Sequence, residues 1–237
     1  MSISPSTVRP FDTPPRRCSA MKLYAHPFSS YCQKVLIALY ENATPFEWRQ
    51  LGPDNPAAVA EHAELWPLKR MPLLVDDGRP VLESSIIIEY LDLRHPGPVR
   101  LIPEDRNAAL EVRLLDRFFD NYVMTPMMKY VFDVLREPQQ RDPYGVSEAG
   151  ELLVSAYAWL DDYLNGRQWA VGESFSLADC AAAPALFYAD WVHPIDAGFS
   201  QLRAYRQRLL GRPSFARVVE EARPYRDLFP IGAPDQD

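Results

Sequence analysis

The spacing of apolar residues changes character once along the chain, near residue 94. Before that point, short alternating runs trade places with short helical ones. "KLYA" at 22–25 alternates as a strand, and residues 30–42 carry Val35, Leu36 and Leu39 at helical spacing. "FEWRQL" alternates again, and "PAAVAEHAEL" reads as a short helix opened by Pro56, a residue suited to a first turn. In "MPLLVDDGRPVLESSIIIEYL" two strands flank Asp77-Gly78, a strong two-residue hairpin signal. A helix follows, with Ser84 expected as its N-cap. The order β-α-β-α-β-β-α predicts a parallel crossover unit, an antiparallel hairpin and a covering helix.

Proline and charge crowd residues 94–105, "RHPGPVRLIPED", and mark a linker. No strand pattern remains beyond it. Residues 106–136 predict one long amphipathic helix, with Leu110, Leu114, Phe118 and Tyr122 four apart and a kink at Pro126. Residues 146–165 predict a second long helix, and three or four more run to about residue 222. The tail, 223–237, has no period. At the other end, residues 1–20 hold four prolines and no period, which predicts a disordered arm or a start-site artefact. The expected organisation is an α/β domain over 21–93, a linker over 94–105 and an all-α domain over 106–222.

Composition narrows this picture. Of 237 residues, 47% are apolar and 24% charged, the balance of a soluble globular protein. A net charge of −7 argues against a general nucleic-acid partner. No apolar run approaches the ~20 residues that span a bilayer. Three cysteines (Cys18, Cys32, Cys180) are too few and scattered for a disulfide framework, and four unclustered histidines (His26, His62, His95, His193) suggest no metal. Without a recognisable secretory segment, the cytoplasm is the expected compartment.

The chemistry centres on Ser29-Ser30-Tyr31-Cys32, where the first strand hands over to the first helix. Free N–H groups and the positive dipole end of a helix favour an anion there. A thiolate at that point is stabilised, and a hydroxyl beside it donates a hydrogen bond. A serine here also serves as an ordinary cap. Ser176-Leu177-Ala178-Asp179 reads as a capping box rather than a catalytic pair, with Cys180 as core.

The Ser29–Cys32 stretch resembles the Cys-Pro-Tyr-Cys loop of glutaredoxins, with Ser29 and Cys32 in the two cysteine positions. The chain as a whole resembles the cytosolic glutathione transferases, specifically bacterial, serine-type, zeta-like ones. Three segments carry the likeness: "SSYCQKVLIAL", "KRMPLLVDDGRPVLESSIIIEYL" and "GESFSLADC". The resemblance covers roughly residues 21–222 and implies a thioredoxin-like domain followed by a helical one.

It also implies roles. Met71-Pro72 should be a cis peptide, with the Met71 backbone pairing the cysteinyl part of glutathione as an added strand would. Glu83 and Ser84 match the pair that holds the γ-glutamyl end, and Arg70 a position that often contacts the peptide. Serine in the first cysteine position removes dithiol chemistry. What survives is stabilisation of glutathione's own thiolate, with Ser29 as donor. Lowering that thiol's pKa by ~2 units corresponds to ~2.7 kcal/mol. Rival candidates are Ser30, one residue along, Tyr24 in the first strand, and Cys32 through mixed-disulfide chemistry. Tyr122, Met124, Met127, Met128 and Tyr130 offer an acceptor-side wall, or simply core or dimer contact.

The resulting expectation is a cytoplasmic, homodimeric transferase that conjugates glutathione, its co-substrate, to small apolar electrophiles in detoxification. A glutathione-dependent cis-trans isomerase is the nearest alternative. A transferase-like binding or regulatory protein without turnover is the third.

Overall fold

The computed structural model describes residues 20–235 and 237. The arm expected over residues 1–20 therefore lies, but for Ala20, outside the described residues. The first half is a four-stranded sheet of order β2-β1-β3-β4, formed by β1 (Lys22–Ala25), β2 (Glu47–Gln50), β3 (Leu73–Asp76) and β4 (Arg79–Leu82). β1 pairs in parallel with β2 and antiparallel with β3, and β3 pairs antiparallel with β4. Asp77 and Gly78, at φ +48° and +75°, make the two-residue turn. Both angles are positive, as a hairpin matched to strand twist requires.

Strand alternation sorts the side chains into two layers. Leu23, Leu74 and Val81 face α1 (Ser30–Glu41) and α3 (Ser84–Arg94), where Val35, Leu36, Leu39, Ile87 and Ile88 are fully buried. Tyr24 and Leu73 face the other way, with Leu51 and with Ala58 on α2 (Pro56–Leu65). Helix α1 is buried on both sides, because α7 (Leu177–Val192) and α9 (Pro213–Ala222) close over its outer face. Gln33 marks that contact, donating from Nε2 to the Tyr188 hydroxyl at 2.8 Å and the Pro27 carbonyl at 2.9 Å.

The second half is helical throughout, and it departs from expectation in three places. The single helix expected over 106–136 is α4 (Arg106–Phe118), a π-helical segment (Phe119–Met124) and α5 (Thr125–Val134). Thr125 N–H bonds to the Asp120 carbonyl, five residues back, and the Thr125 hydroxyl donates to that same oxygen at 2.9 Å. The break precedes Pro126 as one extra residue in the turn. Next, the stripe Leu110, Leu114, Tyr122 faces outward, at 67%, 57% and 48% exposure. The buried face of α4 is instead Ala109, Val112, Leu115 and Asp116. Finally, the tail is not irregular: Arg223–Leu228 form a 3₁₀ turn and Phe229 is buried against Phe28, Tyr188 and Trp191.

Two expectations are met closely. The second long helix is α6 (Pro143–Tyr163). Before α7, the Ser176 N–H and hydroxyl both donate to Asp179 Oδ2, at 2.9 and 3.0 Å. Asp179 Oδ1 also accepts from Ala170 N–H and Tyr205 hydroxyl, at 2.8 and 2.7 Å, so this buried carboxylate pins a loop and two helices. Among the described residues, no helix is long and apolar enough to cross a membrane.

Candidate functional site

A cleft of about 780 Å³ opens between the sheet domain and the π segment with α5. Ser29, Arg70, Met71, Pro72, Glu83 and Ser84 all line it from one side. Six residues spread over 56 positions thus meet at one surface.

Ser29 precedes α1 with extended backbone, φ −89° and ψ 121°, and its carbonyl accepts the first helical bond, from Gln33 N–H at 2.8 Å. Its hydroxyl makes no capping bond. That hydroxyl instead meets the Cys32 thiol. Burial pushes the Cys32 thiol up to about 11, while the hydrogen bonds of Ser29 and the His26 backbone pull it down. At neutral pH Cys32 is therefore a protonated, fully buried thiol beneath the cleft, not a nucleophile in it. The first N–H groups of α1 have no intrahelical acceptor and leave an anion-favouring spot beside Ser29.

The sheet-side edge of the cleft is held from behind. Met71-Pro72 is cis. The preceding loop is fixed by His62, whose Nε2 lies 2.9 Å from the Arg70 carbonyl. At the start of α3 the N-cap is Glu83, not Ser84. Glu83 sits at φ +68° and ψ 123°, a region that costs a non-glycine residue energy and that persists where surroundings enforce it. Ser84 becomes the first helical residue. The carboxylate of Glu83 and the open N–H groups of α3 consequently face one cleft from adjacent positions.

Beneath them lies a buried ionic cluster that the sequence reading missed. Lys34 of α1 is 1% exposed and reaches Asp116 at 2.5 Å, Asp120 at 2.9 Å and the Ser85 hydroxyl at 3.0 Å. Arg117 bonds the same two carboxylates and the same hydroxyl. Burial pushes the Asp120 carboxyl up, against the pull of Lys34. Asp120 and Arg117 themselves line the cleft, so its wall is one end of this cluster. Tyr31 lines it too, and burial with the nearby Asp120 pushes its phenol up to about 12. Its place two residues after Ser29 was the available signal.

The rival candidates fall elsewhere. Tyr24 is 3% exposed on the far face of the sheet, where it donates to Glu61 at 2.8 Å. Burial and Glu61 push its phenol up to about 12. Ser30 opens α1 but does not line the cleft. Of the five acceptor-wall candidates, only Met128 lines it. Met124 and Met127 are core, at 1% and 4% exposure. Tyr122 is half-exposed on the outward face of the π segment, and Tyr130 borders a separate depression beside His193, 3.3 Å from its Nδ1. The extra residue of the π turn rotates α5 by roughly 100° about the helix axis, which moves the wall to Thr125, Met128, Lys129, Phe132 and Arg136.

A βαβ unit extended by a hairpin, with a cis-proline leading into β3, is the thioredoxin-like arrangement, and here a helical half continues it. Residues 23–99 match the family model described as the N-terminal domain of glutathione S-transferase, and residues 143–208 its C-terminal domain. The chain belongs to the glutathione S-transferase family. A glutathione S-transferase of Methylobacterium radiotolerans, solved in complex with glutathione sulfonate, is 31% identical; the match covers 85% of this chain and 95% of that one, with a TM-score of 0.73. Two curated relatives carry other names. A stringent starvation protein A homolog of Coxiella burnetii is 26% identical over 86% of this chain and 93% of its own. A probable maleylacetoacetate isomerase of Caenorhabditis elegans is 24% identical over 85% of this chain and 94% of its own.

Proposed function

We propose that the protein binds glutathione in this cleft and conjugates it to electrophiles, with Ser29 as hydrogen-bond donor to the peptide's thiolate. The observation that carries this is the uncapped Ser29 hydroxyl at the start of α1, in one cleft with Met71, Glu83 and Ser84. The M. radiotolerans enzyme, solved with glutathione sulfonate, supports the ligand. In this reading the Met71 backbone pairs the cysteinyl residue, Glu83 takes the γ-glutamyl ammonium, and Ser84 with the α3 N-terminus takes its carboxylate. Arg70 stands on the glycyl side. The thiol proton leaves to solvent, and the sulfur lone pair forms the new C–S bond as the leaving group departs with its electrons. Cytoplasmic detoxification is the setting this reading gives.

Glu83→Gln tests the ligand assignment. It should weaken glutathione binding by ~1.5–3 kcal/mol, the range for a hydrogen bond to a charged group, with the melting temperature nearly unchanged. Unchanged affinity by calorimetry would place the γ-glutamyl site elsewhere.

An isomerase is the second reading, supported by the C. elegans relative. The same thiolate would then add to a double bond and be expelled after rotation, so glutathione is required but not consumed. Measuring glutathione consumption against product separates the two. A binding role without turnover is the third reading, and the C. burnetii relative carries a name that is neither transferase nor isomerase. The Ser29 hydroxyl makes no bond to the backbone N–H groups of α1 and lines the cleft, which favours the transferase reading.

The outward apolar stripe fits a homodimer. Ile86 and Leu93 on α3 and Leu110 and Leu114 on α4 are all exposed, and Arg113 of α4 donates to Glu89 of α3 at 2.8 and 2.7 Å. Exposed apolar side chains gathered on two helices joined by such an ion pair suit an interaction surface. Leu114→Glu should convert a dimer to a monomer in light scattering. An unaltered mass would remove this face from the interface.

A further inference from the structure

The helical wall of the cleft carries charge that the proposed glutathione contacts leave unused. Thr125, Met128, Lys129, Phe132 and Arg136 follow one another at steps of three, one, three and four residues, a single helical face continued just past α5. Its centre is apolar, and Phe132 is 48% exposed, turned to open space rather than to core. Trp66 and Met71 line the same cleft from the sheet side. Lys129 and Arg136 flank that apolar centre.

The charge balance is lopsided for an acidic protein. Five cations line the cleft (Lys69, Arg70, Arg117, Lys129, Arg136) against two carboxylates, Glu83 and Asp120, although the chain carries −7 overall. Arg117 is held by Asp116 and Asp120. Lys69 and Arg70 adjoin Met71, within reach of the glycyl carboxylate of a bound peptide. Lys129 and Arg136 lie across the cleft from them. Lys129 bonds Asp142, which uses one of its three N–H donors. Arg136 is 43% exposed, its ion pair among the described residues is with Asp133 at 3.5 Å, and Asp142 also feels its charge. The same Asp133 oxygen already accepts the Asp142 N–H at 2.7 Å. The guanidinium fork therefore keeps most of its donors for something in the cleft.

An apolar acceptor has no use for two cations beside Met128 and Phe132. We infer that the acceptor is an anionic electrophile, with an aryl or alkenyl body against Met128 and Phe132 and a carboxylate held by Arg136 and Lys129. This rests on the transferase reading and narrows the purely apolar acceptor expected from the sequence.

Matched probes test it on the full chain. In 4-chloro-3-nitrobenzoate and 4-chloro-3-nitrobenzamide the reaction is the same: the S–C4 bond forms, the C4–Cl bond breaks, chloride leaves with the pair, and the thiol proton goes to solvent. After division by the uncatalysed rates, kcat/KM should favour the benzoate by at least tenfold. Arg136→Gln should reduce that ratio to within about twofold of unity, with glutathione affinity changed less than threefold. Calorimetry of the two finished conjugates, S-(4-carboxy-2-nitrophenyl)glutathione and its carbamoyl counterpart, gives the same comparison without turnover. The carboxylate conjugate should bind at least tenfold tighter, and less so at high salt. Equal binding of the two conjugates, or a preference that survives the Arg136→Gln, Lys129→Gln double variant, overturns the inference and leaves the transferase reading standing. Failure of glutathione itself to bind overturns both.

Discussion

Replacing Ser29 by alanine should raise the pKa of bound glutathione by about one to two units and lower turnover at pH 7 by about 10–100-fold. That is the loss of one hydrogen bond to a charged acceptor, about 1.5–3 kcal/mol, at 1.36 kcal/mol per pKa unit. The effect stops short of abolition because the open N–H groups of α1 still favour an anion. Peptide affinity should stay within a few-fold, since Met71, Glu83 and Ser84 are untouched. Two controls make the assignment specific. Ser30→Ala should leave the titration in place, because Ser30 does not line the cleft. Cys32→Ala should do the same, since a fully buried thiol with pKa near 11 stays protonated across the range. The measurement is thiolate absorbance of bound glutathione against pH. A curve moved by Ser30→Ala and not by Ser29→Ala would shift the donor by one residue. A curve moved by neither would pass the role to the helix end or to Tyr31, whose hydroxyl-bearing ring also lines the cleft.

What made Ser29 visible from sequence also explains what was hidden. The strands, the Asp77-Gly78 turn and α1 follow from local rules: alternation, positive φ, and an apolar run with nowhere to go but inward. These need only neighbours in the chain. The Glu83 cap does not. Ser84 is the better capping residue by type, yet the backbone at Glu83 adopts φ +68° and takes the position. The stripe Leu110, Leu114, Tyr122 shows a related limit. Period-four leucines establish that a helix has an apolar face, but not which face the monomer buries, and here Val112, Leu115 and Phe119 win. The helical wall of the cleft was hidden by one residue. An uninterrupted helix through 106–136 would hold Met124 and Met127 in a different rotation, and no sequence rule announces a π turn. Lys34 was hidden most deeply. A lone lysine in an apolar helix reads as a solvated interruption, and its two carboxylates come from residues more than 80 positions away.

That buried lysine gives the largest expected loss of stability in the molecule. Lys34→Met should destabilise the protein by about 3–5 kcal/mol, the cost of removing one partner from a buried ion pair and stranding the other. Methionine fills most of the stem's volume, so the loss is electrostatic rather than a cavity. Arg117 remains beside both carboxylates but is 52% exposed, and an exposed cation compensates a buried charge poorly. The pH dependence separates this cause from simple packing damage. Burial already raises the Asp120 carboxyl, and Lys34 opposes that rise. Without Lys34 the folded-state pKa climbs further above the unfolded value. Between those two pKa values the folded chain holds a proton that the unfolded chain has released, so stability falls as pH rises. The penalty of Lys34→Met should therefore be smallest near pH 4–5, grow towards neutrality and level off above the folded pKa. Adding Asp120→Asn to Lys34→Met should recover part of the loss and flatten the profile, because the stranded charge is gone. Urea unfolding of the three variants against pH reads this directly. A loss below about 1 kcal/mol, or one independent of pH, would mean that the cluster is no electrostatic clasp between α1 and the helical half. It would then also have no part in setting the wall on which Asp120 and Arg117 line the cleft.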